Sequence, residues 1–244
     1  VSGFTALSAL YCQSNSLTSL NVNGCTALNQ VNCNGNSLTS LDVSTNTALQ
    51  TLGCNSNQLT ALNLSANVAL TSLDCSFNAL TALDVSGKTA LEVLYCYYNQ
   101  LTSLNTGGCS ALQYILCYST SLTSLDVSTS TALEVLNCTS NQLATLNLGA
   151  ITALNELRCD GNSLTSLNTG GKTALETLSC SGNLLTAVNV NGCTSLKTLD
   201  CHNNQLTSLN ISSCTALVNL NCAKNTLESL DASGLTALSY LYCD

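Results

Sequence analysis

A cysteine returns every 21 residues along the chain, at positions 12, 33, 54, 75, 96, 117, 138, 159, 180, 201, 222 and 243. No insertion or deletion breaks the spacing. From Leu7 onward each cysteine sits in the same unit, L-x-x-L-x-C-x-x-N-x-L-T-x-L-(N/D)-V-x-x-x-T-A. The first Leu is kept in all twelve copies, and the second gives way only to Val31 and Ile115. Self-similarity at a fixed period marks a repeat architecture, in which each unit buries its apolar side against its neighbours. A fold for this chain must therefore use 21 residues per structural step.

Each unit contains a shorter echo of itself, as in "LQTLGCNSN" followed by "LTALNLSAN". Both halves carry a brief L-x-C or L-x-L alternation, the period-two pattern of a strand. A helix would need apolar residues three or four apart over a longer stretch, and neither half has room for one. The unit thus reads as one coil with two short strands facing across a thin core. Leu52 and Cys54 point inward from one strand, Leu62 and Leu64 from the other. Twelve copies predict an all-β solenoid of about 12 coils, with two short parallel sheets, a Leu/Cys core and no helices; stacked coils lie about 4.8 Å apart. The absence of Pro agrees, since every coil must donate hydrogen bonds to a neighbour. Asn in the ninth place (Asn36, Asn57, Asn78, Asn99) is expected to bond backbone groups left unpaired by the sharp turn after the cysteine strand.

The motif L-x-x-L-x-C-x-x-N-x-L resembles a leucine-rich repeat, and the nested ten-plus-eleven arrangement is similar to the bacterial 21-residue class sometimes called IRREKO. The resemblance implies an extracellular or cell-surface bacterial protein used for adhesion or for binding protein or glycan. It covers residues 1–244 as a single solenoid, with no capping segment visible at either end. Val1 and Asp244 both fall inside a unit, which leads to the expectation of a segment of a longer array or of a subunit that stacks end to end with itself in a fibre.

Composition narrows the partners. With 7% charged and 45% hydrophobic residues the chain is not of the disordered class. Thirteen acidic residues against five basic ones give a net charge of −8, the wrong sign for nucleic acid or an anionic membrane. No apolar run is long enough to insert in a bilayer.

The cysteine ladder (Cys33, Cys54, Cys75, Cys96, Cys117, Cys138) reads as core thiols acting as small hydrophobes. Their Cβ atoms would point the same way about 4.8 Å apart, beyond the roughly 3.8 Å of a disulfide. Cys25, Cys109, Cys193 and Cys214 share a second register, in which only Cys193 and Cys214 are adjacent and open to a bridge. Zinc sites use C-x-x-C pairs or His partners, which this chain lacks, so neither a metal nor a cofactor is expected. His202 is the only histidine, near Asp200 and Ser181, but a smooth solenoid face offers no shielded cleft for a triad; no catalytic residue is assigned and the chain reads as a non-enzyme.

Outward positions differ between the two strands. On the second strand the place runs Asn21, Asp42, Asn63, Asp84, a monotonous ladder in which amides separate carboxylates. On the cysteine strand it is varied, and three consecutive coils hold Phe77, Tyr95, Tyr97, Tyr98, Tyr114 and Tyr118. Tyrosine offers a large rigid surface with a polar tip and is favoured at binding sites; mutual shielding of the rings is the bland alternative. Three functions fit: a structural or adhesive array or self-stacking filament, a protein- or glycan-binding adhesin using the tyrosine-rich face, and an ice-binding protein using the regular Thr/Ser/Asn face, which Asp42, Asp84 and Asp126 interrupt.

Overall fold

The computed structural model describes residues 1–244 and divides into two compact units, Val1–Leu122 and Thr123–Asp244. Both are β-solenoids without helices. In the first unit the cysteine strands are β1 (Ala9–Tyr11), β2 (Gln30–Asn32), β3 (Thr51–Gly53), β4 (Ser72–Asp74), β6 (Val93–Tyr95) and β8 (Tyr114–Leu116). They pair in parallel with a register of 21, so Leu52 lies opposite Val31 and Leu73. The second unit repeats this with β9 (Val135–Asn137), β10 (Glu156–Arg158), β12 (Thr177–Ser179), β14 (Thr198–Asp200), β15 (Asn219–Asn221) and β16 (Tyr240–Tyr242). The middle residue of each interior strand and the cysteine just past it point into the core, as the alternation requires; Leu52, Leu73, Cys54 and Cys75 are fully or almost fully buried.

The opposite side is less regular than the repeat implies. Only β5 (Ala82–Asp84) pairs with β7 (Ser103–Asn105), and β11 (Ser166–Asn168) with β13 (Ala187–Asn189). Elsewhere a single bridge remains within a unit, at Asn21–Asp42 and at Asp126–Asn147. The Asn/Asp ladder of this side is hydrogen-bonded alike in paired and unpaired coils. In each of eleven coils its side-chain oxygen accepts the N–H two residues on, as from Ser65 to Asn63 and from Ser86 to Asp84. This local Asx turn competes with the sheet for the backbone and leaves three residues at most to pair. The Ser bonds also hold the carboxyls of Asp42, Asp84, Asp126 and Asp231 below their ordinary range.

The ninth-place Asn does more than close its own turn. Asn57 Nδ2 donates to Cys54 O and to Cys33 O one coil earlier, both at 3.1 Å, while its Oδ1 accepts the Leu38 N–H at 3.0 Å. Asn36, Asn78 and Asn99 repeat the pattern. One side chain therefore fastens two coils together. Thr120 is the single substitute and donates to Cys117 O at 3.1 Å.

All sixteen cysteines are thiols. Burial, reinforced by neighbouring thiols, pushes Cys54, Cys75 and Cys96 well up, and Cys33 to about 12. The second register shows why cysteine suits it. Cys25, Cys109, Cys193 and Cys214 each direct the thiol at a backbone carbonyl 24 residues earlier, Val1, Val85, Thr169 and Val190. Cys193 and Cys214 thus serve separate carbonyls. The same column holds Asn46, Asn67 and Lys88, whose nitrogens reach Val22 O, Val43 O and Leu64 O. Lys172 does likewise, to Ile151 O at 2.8 Å. Both lysines are buried, and desolvation pushes their pKa down.

Candidate binding face

Two residues past each cysteine the backbone turns through positive φ. Eight side-chain-bearing residues take this conformation, Ser14, Ser56, Phe77, Tyr98, Ser119, Ser140, Asn203 and Lys224, and Gly35, Gly161 and Gly182 fill the other coils. A left-handed residue with a bulky side chain is a steric outlier, whereas Gly escapes the Cβ penalty and Asn is enriched in this region. Phe77 (φ 51°) and Tyr98 (φ 49°) are therefore costly choices for this place. They also stay 46% and 47% exposed.

The two rings stack, with centroids 4.7 Å apart and planes 23° from parallel. Beside them Tyr97 and Tyr118 stack at 4.5 Å and 8°. Edge contacts join the pairs, Phe77 to Tyr97 at 5.4 Å and Tyr98 to Tyr118 at 5.5 Å. Tyr95 lies 6.4 Å from Tyr97. Five of the six aromatic residues singled out in the sequence thus form one cluster in the first unit. Tyr114 opens β8, opposite Val93. Burial, followed by the neighbouring Tyr97 and Tyr98, raises the Tyr118 pKa.

The outward column leading to the cluster runs Gly53, Asp74, Tyr95, each opposite the next. Asp74 Oδ1 accepts the Ser76 N–H at 3.1 Å and its hydroxyl at 2.6 Å. Beside Gly53 lies an open-mouthed cavity of about 200 Å³ lined by Tyr11, Gln30, Val31, Leu52 and Asp74 among others, and the place a Gly53 side chain would take is held by the Asn34 amide. Periodicity alone gave no reason to single out Gly53 or Asp74; the signal was a glycine inside a strand, where its usual meaning is a bend or a close approach by something else.

In the second unit the sequence-flagged trio does not assemble. His202 Nδ1 lies 2.7 Å from Asp200 Oδ1, but the Ser181 hydroxyl donates to Asp160 Oδ1 at 2.7 Å. Asp160 also accepts from Ser179 Oγ, at 2.6 Å. The serine proton is thus directed at a carboxylate.

Coils of fixed length, fastened by an amide at each turn and carrying one paired sheet, define a β-solenoid repeat scaffold. The family profile "Leucine Rich repeats (2 copies)" matches residues 173–214. The structure is similar to the functional domain of InlJ from Listeria monocytogenes, described as including a cysteine ladder, with 35% identity, a TM-score of 0.91, and coverage of 99% of this chain and 54% of that one. It also resembles a leucine-rich-repeat protein of Leptospira interrogans (24% identity, TM-score 0.78, 91% of this chain and 62% of that one). A third likeness is to the LRIM1/APL1C complex (25% identity, TM-score 0.76, 88% and 42%). The chain spans less than two thirds of the length of each. No curated protein sequence matches it. The chain is a leucine-rich-repeat protein.

Proposed function

We propose that this chain is a non-enzymatic, extracellular scaffold that binds a partner protein through Phe77, Tyr95, Tyr97, Tyr98 and Tyr118 on the cysteine-strand face of the first unit. The carrying observation is the pair of bulky rings held at left-handed turn positions. Such conformations cost about 1–2 kcal/mol per non-glycine residue, a cost that Ser56 and Ser119 share and Gly35 avoids, so what sets Phe77 and Tyr98 apart is a large exposed ring at a turn where the other coils place Ser, Gly, Asn or Lys. Rings placed against the local backbone preference and left half exposed fit a contact surface better than they fit packing. Leucine-rich-repeat relatives mediate protein interactions, and LRIM1/APL1C is itself a complex. An extracellular location is compatible with the thiols, because fourteen of the sixteen are buried and burial disfavours the thiolate that oxidation requires.

A random peptide library displayed on phage, panned on the immobilised chain and on a variant with Phe77, Tyr97, Tyr98 and Tyr118 all changed to Ser, tests the proposal. Peptides retained by the wild type and lost from the folded variant are expected. Recovery of the same peptides from both removes the patch as a binding site.

A further inference from the structure

We infer that the Gly53 cavity and the aromatic cluster beside it take a basic side chain, arginine above lysine, from the partner protein. This rests on the protein-binding role proposed for the face and adds the chemistry of what is bound.

The cavity comes first. Gly53 lies in β3, and its φ is outside the left-handed region, so the backbone does not require glycine there. Glycine weakens a strand relative to the residues that pack on a pleated surface. What its absence of a side chain provides is room for the Asn34 amide, which together with Gly53 forms one wall of a cavity of about 200 Å³. That is below the roughly 300–1,000 Å³ of a drug-sized ligand site and suits one side chain. A Cβ at Gly53 would meet Asn34 Oδ1 at 2.9 Å, so any larger residue displaces a wall of the cavity.

The walls are mostly apolar, with a few acceptors set among them. Asp74 supplies a carboxylate, which offers about four lone-pair sites, and Ser76 occupies Oδ1. The Gln30 amide and Asn34 Oδ1 face the same space, Gln30 Oε1 accepting from the Tyr11 hydroxyl and Asn34 Oδ1 from the Asn55 N–H at 3.1 Å. One register step past Asp74 stand Tyr95 and then the ring cluster, whose π faces attract a cation, arginine most often. A planar guanidinium both pairs with a carboxylate and stacks on a ring.

Charge agrees over the whole unit. Residues 1–122 hold four carboxylates, Asp42, Asp74, Asp84 and Glu92, and one basic side chain, Lys88. Lys88 is 2% exposed, with its ammonium on Leu64 O. No basic side chain of the unit therefore competes for this face, where Asp74 lines the cavity while Asp42 and Asp84 lie in the opposite ladder.

The test uses a nine-residue peptide of alternating Gly and Arg, and its analogue with citrulline, the neutral isostere, in place of Arg. The chain has eight Tyr and no Trp, and five of the eight, Tyr11, Tyr95, Tyr97, Tyr98 and Tyr118, stand at the cavity or the cluster, so tyrosine emission follows the binding. A saturable change is expected with the arginine peptide, weakening as salt is added, and little with citrulline. Asp74→Asn, which keeps the bonds from Ser76, is expected to weaken binding about 2- to 5-fold, the scale of an exposed ion pair. Tyr98→Ser is expected to cost about 2- to 5-fold, the scale of one exposed cation–π contact, and Gly53→Val about tenfold or more by displacing a wall of the cavity. Equal binding of the two peptides, no saturable change with the arginine peptide, or unaltered affinity in both Asp74→Asn and Gly53→Val overturns the inference. Display-selected peptides that need the rings but carry no basic residue overturn it too, while leaving the protein-binding role of the face intact.

Discussion

Asn99→Ala should be among the most damaging single changes outside the apolar core. Asn99 Oδ1 accepts the Leu80 N–H at 2.9 Å, and Nδ2 donates to Cys75 O at 3.1 Å and Cys96 O at 3.0 Å. Leu80 is fully buried, so no water replaces the lost acceptor. A buried N–H left unpaired costs about 1–3 kcal/mol, and each further lost bond about 0.5–1.5 kcal/mol. The sum is about 2–6 kcal/mol. At about 2–4 °C per kcal/mol for chains of this size, the melting temperature should fall by about 4–24 °C. Asn99→Asp separates the two roles of the amide. Aspartate keeps an oxygen for Leu80 but sets a second one against two carbonyls where a donor is needed. Its folded pKa is therefore raised above the unfolded value of about 3.9. A raised carboxyl pKa contributes stability that is present below the unfolded pKa and lost as pH rises through the folded one. Guanidinium titrations should accordingly find the Asp variant closest to wild type below about pH 4 and furthest from it at neutral pH. An Ala variant within about 0.5 kcal/mol of wild type, or an Asp variant indifferent to pH, would refute the intercoil fastening role.

A thiol reagent should label Cys243 quickly and Cys12 more slowly in the native chain, the two cysteines not classed as buried, and all sixteen in denaturant; fast labelling of Cys33 or Cys117, each with a pKa pushed up to about 12, would contradict the core. Asn67→Cys should change stability by less than about 1 kcal/mol, because it removes a buried Oδ1 without a donor but leaves one weak thiol proton where the amide donates to both Val43 O and Asn46 O; a change of more than about 2 kcal/mol in either direction would refute this offset. The lowered carboxyl pKa values of Asp42, Asp84, Asp126 and Asp231 contribute stability that is present above about pH 4 and lost as pH falls through the folded values. Changing all four to Asn should therefore flatten the acid limb of the pH–stability curve, and an unchanged limb would show that other groups govern it.

The period itself made the solenoid legible, because a step of 21 residues with L-x-C alternation leaves no other way to bury the leucines. Cys54 beneath Cys75 follows from counting. What the Asn ladder does was only half visible. Its bond to the turn could be read locally, but Oδ1 of Asn57 meets Leu38, 19 residues away, and only stacking brings them together. The second register was read as four cysteines, although Asn46, Asn67, Lys88 and Lys172 stand in the same column. The lysines were missed because a buried ammonium runs against the usual rule, and only the carbonyl it reaches makes sense of it. The even second sheet expected from the repeat is interrupted, although the Asx bond is the same in the coils that pair and in those that do not. At the candidate face the tyrosines were conspicuous as residues. That Phe77 and Tyr98 occupy left-handed positions was latent in the column of Ser, Gly and Asn around them, and needed the backbone angles to be seen.

The binding face is tested most directly by the ring resonances of a tyrosine-labelled chain, followed by NMR as a display-selected peptide is added. Tyr95, Tyr97, Tyr98 and Tyr118 should shift together and saturate at one affinity, with Tyr240 and Tyr242 unmoved. Shifts confined to Tyr240 and Tyr242, or none among the four, would place the partner elsewhere on the molecule.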